Sequence, residues 1–161
     1  MLVSCYLSEL SDGHYWVQGD GLVIDKPLKL VGDEHNPANV VVEMSGSIKW
    51  SGKGGWIEGI TFRRPKISTG EMPSSVMLEI ENLGKVDIVH SVFDNDGSTG
   101  CVVKATGSGS KGHWDDVVIR NGGSDGVRME GQINLRLKKV RICFRVSNPF
   151  SFRKLMNVVV V

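Results

Sequence analysis

Two acidic clusters are the residues best suited to catalysis in this sequence. Asp115 and Asp116 are adjacent in WDDVVI, and a pair of carboxylates can perform acid–base chemistry when the protein separates their pKa values. Neighbouring residues of a strand point to opposite sides, so at most one of this pair can face a groove. We therefore favour a solvated turn beside an inward-pointing Trp114.

The second acidic cluster is FDNDG, which contains Asp94 and Asp96. Oxygen-rich loops of this kind can bind calcium, and a lyase would add a basic residue, for which Arg120 is the candidate. Asn95, Asp96 and Gly97 also form a common turn sequence, in which short polar side chains bond to their own backbone. We favour the turn, and we predict neither a metal site nor a cofactor.

Trp56 is the candidate ligand-binding residue. It directly precedes an apolar residue that should point inward, so its own ring should face outward and offer a platform for a ligand. The alternative, that a neighbouring loop covers the ring, stays open. Neither reading identifies the ligand, which could be a protein or a glycan.

Composition excludes several kinds of partner. The 161 residues carry a net charge of +1, which argues against a nucleic-acid surface or a polybasic membrane surface. Cys5, Cys101 and Cys143 form no metal-binding motif, and three widely spaced cysteines are typical of reduced thiols. The N-terminus lacks the basic segment of a secretory signal, so we expect a cytoplasmic or nuclear protein.

A repeated double strand must position all of these residues. The pattern apolar-x-x-apolar-x-apolar recurs at intervals of roughly 23 to 31 residues. Its first members are Ile57, Ile88, Trp114 and Leu137, and its last members are Phe62, Phe93, Ile119 and Ile142. A short alternating strand precedes each unit, ending at Trp50, Ile80, Ala105 and Met129. Asn95 and Asn121 each follow the last apolar member by two residues, which predicts an asparagine ladder between coils.

Units of this length favour an all-β, right-handed, single-stranded parallel β-helix of about five coils. We expect a lead-in or cap over 1–20, the coils over 21–146 and an irregular tail or edge over 147–161. The pattern decays after Ile142, so the solenoid is expected to be incomplete or to be a piece of a larger protein.

The segment GLVIDKPLKLVGDEHNP, from Gly21 to Pro37, resembles the entry coil of β-helix domains in the pectin-lyase-like superfamily. The resemblance implies that fold across most of the chain. The blocks typical of polygalacturonases are missing apart from a bare Asp-Asp, so the chain is more similar to the recognition domains of large F-box ubiquitin-ligase adaptors and SHC-binding proteins. We therefore expect a non-enzymatic binding module, with a polysaccharide lyase, hydrolase or epimerase as the alternative.

Overall fold

A computed structural model describes residues 6–65, 76–95, 100–122, 125–144 and 158–160. Within these ranges nearly all of the regular secondary structure is β-strand. The strands, in chain order, are β1 Tyr6–Glu9, β2 Gly13–Val17, β3 Gly21–Ile24, β4 Leu28–Val31, β5 Val40–Met44, β6 Ser47–Trp50, β7 Gly55–Glu58, β8 Thr61–Arg63, β9 Leu78–Ile80, β10 Asp87–Val89, β11 Val92–Asp94, β12 Val103–Asp115, β13 Val118–Gly122, β14 Val127–Lys138, β15 Arg141–Phe144 and β16 Val158–Val160. A short 3-10 helix, Pro37–Asn39, precedes β5.

The strands form a parallel β-solenoid of about five turns, which confirms the predicted fold class. Face 1 contains β3, β6 and β9, and face 2 contains β1, β4, β7, β10 and β16. Face 3 contains β2, β5, β8, β11, β13 and β15. The long strands β12 and β14 each extend across both face 1 and face 2 and join the two faces into one sheet.

The apolar columns predicted from the spacing lie in register. On face 2, Ile57 pairs with Ile88, Ile88 with Trp114, and Trp114 with Leu137. The two other predicted columns are equally regular: Trp50, Ile80, Ala105 and Met129 on face 1, and Phe62, Phe93, Ile119 and Ile142 on face 3. Most of these side chains are buried, and Phe62 and Phe93 stack with ring centroids 5.2 Å apart. The columns therefore form one continuous core.

The strands extend beyond the predicted coils at both ends. The five complete turns begin with β3 at Gly21, but β1 and β2 already pair in register with β4 and β5 as a partial turn. At the other end, β16 lies beside β14 as the edge of face 2. The segment predicted to be a lead-in thus contributes strands to two faces.

Residues in a left-handed conformation turn the chain from face 2 to face 3. These residues occupy equivalent corners of successive turns. They are Gly59 with a φ of 66°, His90 with 45°, Asp116 with 53° and Lys139 with 51°. Backbone hydrogen bonds connect the corners, from His90 N to Asp115 O and from Asp116 N to Lys138 O. A left-handed residue costs a non-glycine side chain about 1–2 kcal/mol, so the stacked bonds must compensate for it.

Candidate functional site

Asp94 and Arg120 are register partners on face 3 and form a closed ion pair. The Arg120 guanidinium donates to Asp94 Oδ2 from Nε at 2.9 Å and from Nη2 at 2.8 Å. Asn121 Nδ2 donates to the other carboxylate oxygen at 2.7 Å, and Asp94 is only 5% exposed. Because both oxygens of Asp94 are occupied, this carboxylate has a structural role in holding adjacent turns together.

Acidic and basic residues alternate along the outward column of face 3 that contains Asp94 and Arg120. Glu43 pairs in register with Arg63, and Arg63 with Asp94, so acidic and basic residues alternate along the outside of face 3. The Arg63 and Glu43 side chains lie 3.9 Å apart at their nearest nitrogen and oxygen. Opposite charges facing each other across strands stabilise the pairing by roughly 0.2–1 kcal/mol each.

Asp115 and Asp116 lie elsewhere. Asp115 ends β12 on face 2, and its Oδ2 accepts a hydrogen bond from Lys138 Nζ at 2.7 Å. That bond lowers the pKa of the Asp115 carboxyl, whereas a general acid requires a raised pKa. Asp116 lies at the corner between faces 2 and 3, where its Oδ2 is 3.0 Å from Nδ1 of His90.

The candidate catalytic residues therefore do not converge in one groove. Asp94 and Arg120 are on face 3, Asp115 is on face 2, Asp116 is at a corner, and Asp96 lies outside the described residues. Each of the four described residues is held by a partner of opposite charge or by a histidine.

Sequence reasoning missed Arg64, the most deeply buried charge among the described residues. Its side chain is fully buried and donates to Asn95 Oδ1 at 2.7 Å and to the backbone carbonyls of Ser45 at 2.5 Å and Val76 at 2.6 Å. Burial lowers the pKa of the Arg64 guanidinium to about 10. Arg64 follows Phe62 by two residues, just as Asn95 follows Phe93, so the spacing could have located it.

Arg64 also changes the expected asparagine ladder. The side chain of Asn95 is bound to Arg64 on one side, and its Nδ2 donates to Gly100 O at 3.3 Å on the other. Asn121 has a φ of 59° and donates to Asp94 instead. The two asparagines thus occupy equivalent positions in successive turns but have different partners. Asn95 is within reach of the Arg64 guanidinium, whereas Asn121 is within reach of the Asp94 carboxylate.

Cys101 is not a nucleophile in this structure. Its thiol is buried, and burial together with the nearby Asp125 carboxylate raises its pKa to about 12. A thiol with such a pKa is almost entirely protonated at neutral pH, and the thiolate is the reactive species. Cys143 is exposed, and neither of these two cysteines is in a disulfide.

Trp56 lies on the outer side of face 2, as its position before Ile57 requires. Its register partners are Lys29 on one side and Asp87 on the other. The Lys29 ammonium lies 5.7 Å from the centre of the indole ring, and the indole Nε1 donates to Glu58 Oε2 at 2.8 Å. The ring is half-buried, and within the described residues the side chains of Lys29 and Glu58 contact it.

The surface around Trp56 continues as a flat strip of mixed charge. Asp87 accepts a hydrogen bond from the His113 backbone N–H at 2.8 Å, and it lies 3.9 Å from Lys85 Nζ. His113 and its register partner Arg136 are exposed further along the same column. We call the outward residues Lys29, Trp56, Asp87, His113 and Arg136 the Trp56 strip.

Other kinds of site are not found in the described part of the chain. No group of three or more His, Cys, Asp or Glu side chains there could hold a metal ion. The only helical segment described is too short and too polar to cross a bilayer. No protein-family model, curated protein or solved structure matches the chain.

Proposed function

We propose that this chain is a non-catalytic recognition module that binds a protein partner through the Trp56 strip. The proposal rests on the indole of Trp56, which Lys29 and Glu58 hold in place on the outer side of face 2. Tryptophan and arginine are enriched at the energetic centres of protein interfaces, and this strip contains both. Its rigidity reduces the entropy that would be lost when a partner orders the side chain.

A protein fits the strip better than a glycan does. A sugar that stacks on tryptophan needs an open ring face, whereas the Lys29 ammonium lies against this ring. The indole N–H is also engaged by Glu58, so it has no donor left for a sugar hydroxyl. A protein partner needs neither an open ring face nor a free indole N–H, and it can pair with the charged groups that flank the ring.

The chain offers a matched control for testing this proposal. Trp16 is also an exposed tryptophan, 66% accessible, but it lies on the outer side of face 3. We expect Trp56→Ala to weaken binding of a partner found by affinity capture by roughly 30-fold, since a central tryptophan contributes about 2 kcal/mol or more. Trp16→Ala should bind like the unmodified chain.

Two results would count against the proposal. If Trp56→Ala keeps a native circular dichroism spectrum and captures the same proteins at the same affinity, the strip is not the interface. If the chain binds an immobilised glycan in a Trp56-dependent way and captures no protein, a glycan is the ligand.

We also propose that the chain belongs with the intracellular β-helix domains of the pectin-lyase-like superfamily. The segment that resembles their entry coil forms the first two strands of the first complete turn, with Ile24 buried and Leu28 and Leu30 packed against the core. A side chain at Gly32 would place its Cβ 2.5 Å from the Gly59 carbonyl oxygen, which explains why a glycine occurs there. The free thiols Cys101 and Cys143 are compatible with a reducing compartment.

A further inference from the structure

A β-bulge interrupts the pairing of the two longest strands at the corner between faces 1 and 2. Ser108 pairs with Gln132 and Lys111 pairs with Asn134, so β12 contains one more residue than β14 across this corner. Gly109, in the bulge, has a φ of 84°, which favours glycine. Bulges of this kind redirect side chains and often border binding sites.

Ser110 fixes the shape of the bulge. This side chain is fully buried, and its hydroxyl lies 3.0 Å from the Thr106 carbonyl oxygen and 3.2 Å from the Glu81 carbonyl oxygen. These contacts link the bulge to its own strand and to the preceding turn. The corner is therefore held in one conformation by a buried side chain rather than being a loose loop.

The bulge opens a cleft of about 300 Å³. Buried Ile133 contributes an apolar wall, and the other lining residues are Ser108, Gly109, Ser110, Lys111, Gln132 and Asn134. Among the residues that the structure describes, Lys111 is the only charged one in the lining, and none of them brings a carboxylate to the cleft. Within the described residues Lys111 forms no ion pair, whereas Lys85, its bridge partner on the preceding turn, lies 3.9 Å from Asp87.

We propose that this cleft binds a compact organic anion through its oxyanion group. Lys111 supplies the positive charge, and the amide groups of Gln132 and Asn134 and the hydroxyl of Ser108 supply neutral donors. The volume is at the lower end of the range for small-molecule sites, so the ligand is small. This proposal is independent of the Trp56 strip and of its partner.

The proposal is tested by titrating the full chain with inorganic phosphate or with acetate at constant ionic strength. Two-dimensional ¹H–¹⁵N spectra follow each titration. We expect saturable shifts of the Gly109, Ser110 and Gln132 amide signals by at least one of the two anions. The dissociation constant should be on the order of 1 mM, because one partly exposed ammonium is a weak anchor. The anion that saturates distinguishes a tetrahedral oxyanion site from a carboxylate site.

The control lies in the same column. We expect Lys111→Gln to weaken binding at least tenfold and Lys85→Gln to leave it within twofold, while both variants retain the native melting temperature. The absence of saturable shifts with both anions would overturn the proposal. Equal affinity of Lys111→Gln and the unmodified chain would overturn it as well.

Discussion

Replacing Ile88 by alanine should destabilise the solenoid more than any change on the surface of the same strand. Ile88 is fully buried and lies between Ile57 and Trp114 in the central column of face 2. The substitution removes three carbon atoms at about 0.8 kcal/mol each, or roughly 2.4 kcal/mol of transfer free energy. The cavity that remains between two fixed neighbours raises the expected loss to about 3–4 kcal/mol.

Urea denaturation followed by circular dichroism measures this loss as a change in the free energy of unfolding. For a chain of this length the melting temperature should also fall by about 10 °C. Val89 is the matched control, because it is the next residue of β10 and points outward. Val89→Ala should cost less than about 1 kcal/mol. If the two variants lose equal stability, the inward and outward positions of β10 have been assigned wrongly.

Three further predictions concern the buried and paired polar groups. Arg64→Leu should lower the free energy of unfolding by about 3 kcal/mol, since it leaves buried acceptors without a donor. Cys101 should react with a thiol reagent at pH 8 at least about 1000-fold more slowly in the native chain than after unfolding, because its native pKa is about 12. Asp115 has a lowered native pKa, so its bond to Lys138 should contribute up to about 1 kcal/mol above pH 4 and lose that contribution as the pH falls through the native pKa.

Each of these three predictions has its own control. Arg63→Leu, at the half-buried neighbouring position, should cost under about 1 kcal/mol. A similar cost for Arg64→Leu would contradict the role given to the buried guanidinium. Cys101 is measured with Cys5 and Cys143 replaced by serine, and equal rates before and after unfolding would contradict its burial. For Asp115, the stability difference between the unmodified chain and Asp115→Asn should vanish at low pH, and a difference that grows instead would contradict the assigned sign.

The core could be predicted from the sequence because it depends on short-range spacing. A parallel coil places one apolar residue of each strand above its counterpart in the previous turn, so a recurring pattern is enough to align Ile57 with Ile88. The same argument correctly places Trp114 in the core and Trp56 on the outer side of face 2. The alternation of residues along a strand is enough to assign which side chains point inward, and it does not depend on the conformation of the loops.

The polar contacts could not be predicted in the same way. The local sequence predicts that Asp94 belongs to a tight turn. Its partners Arg120 and Asn121, however, lie in the next coil of the solenoid. Their contact depends on the register of β11 with β13 and on the left-handed conformation of Asn121, where the pairing of β13 is irregular. The bulge in β12 was missed for the same reason, because one extra residue between two glycine-rich segments has no signature in apolar spacing.

A disulfide cross-link between adjacent turns tests the parallel, in-register solenoid most directly. Glu79 and Lys104 point outward as register partners on neighbouring strands of face 1, about 4.8 Å apart, within the range that a disulfide spans. Glu79 and Arg128 are two turns apart, at about 10 Å, beyond that range. In a chain whose native cysteines are replaced by serine, the pair Glu79→Cys and Lys104→Cys should cross-link on oxidation, whereas Glu79→Cys with Arg128→Cys should not. Equal cross-linking of both pairs, or of neither, would contradict the stacking on which the core, the Trp56 strip and the anion cleft all depend.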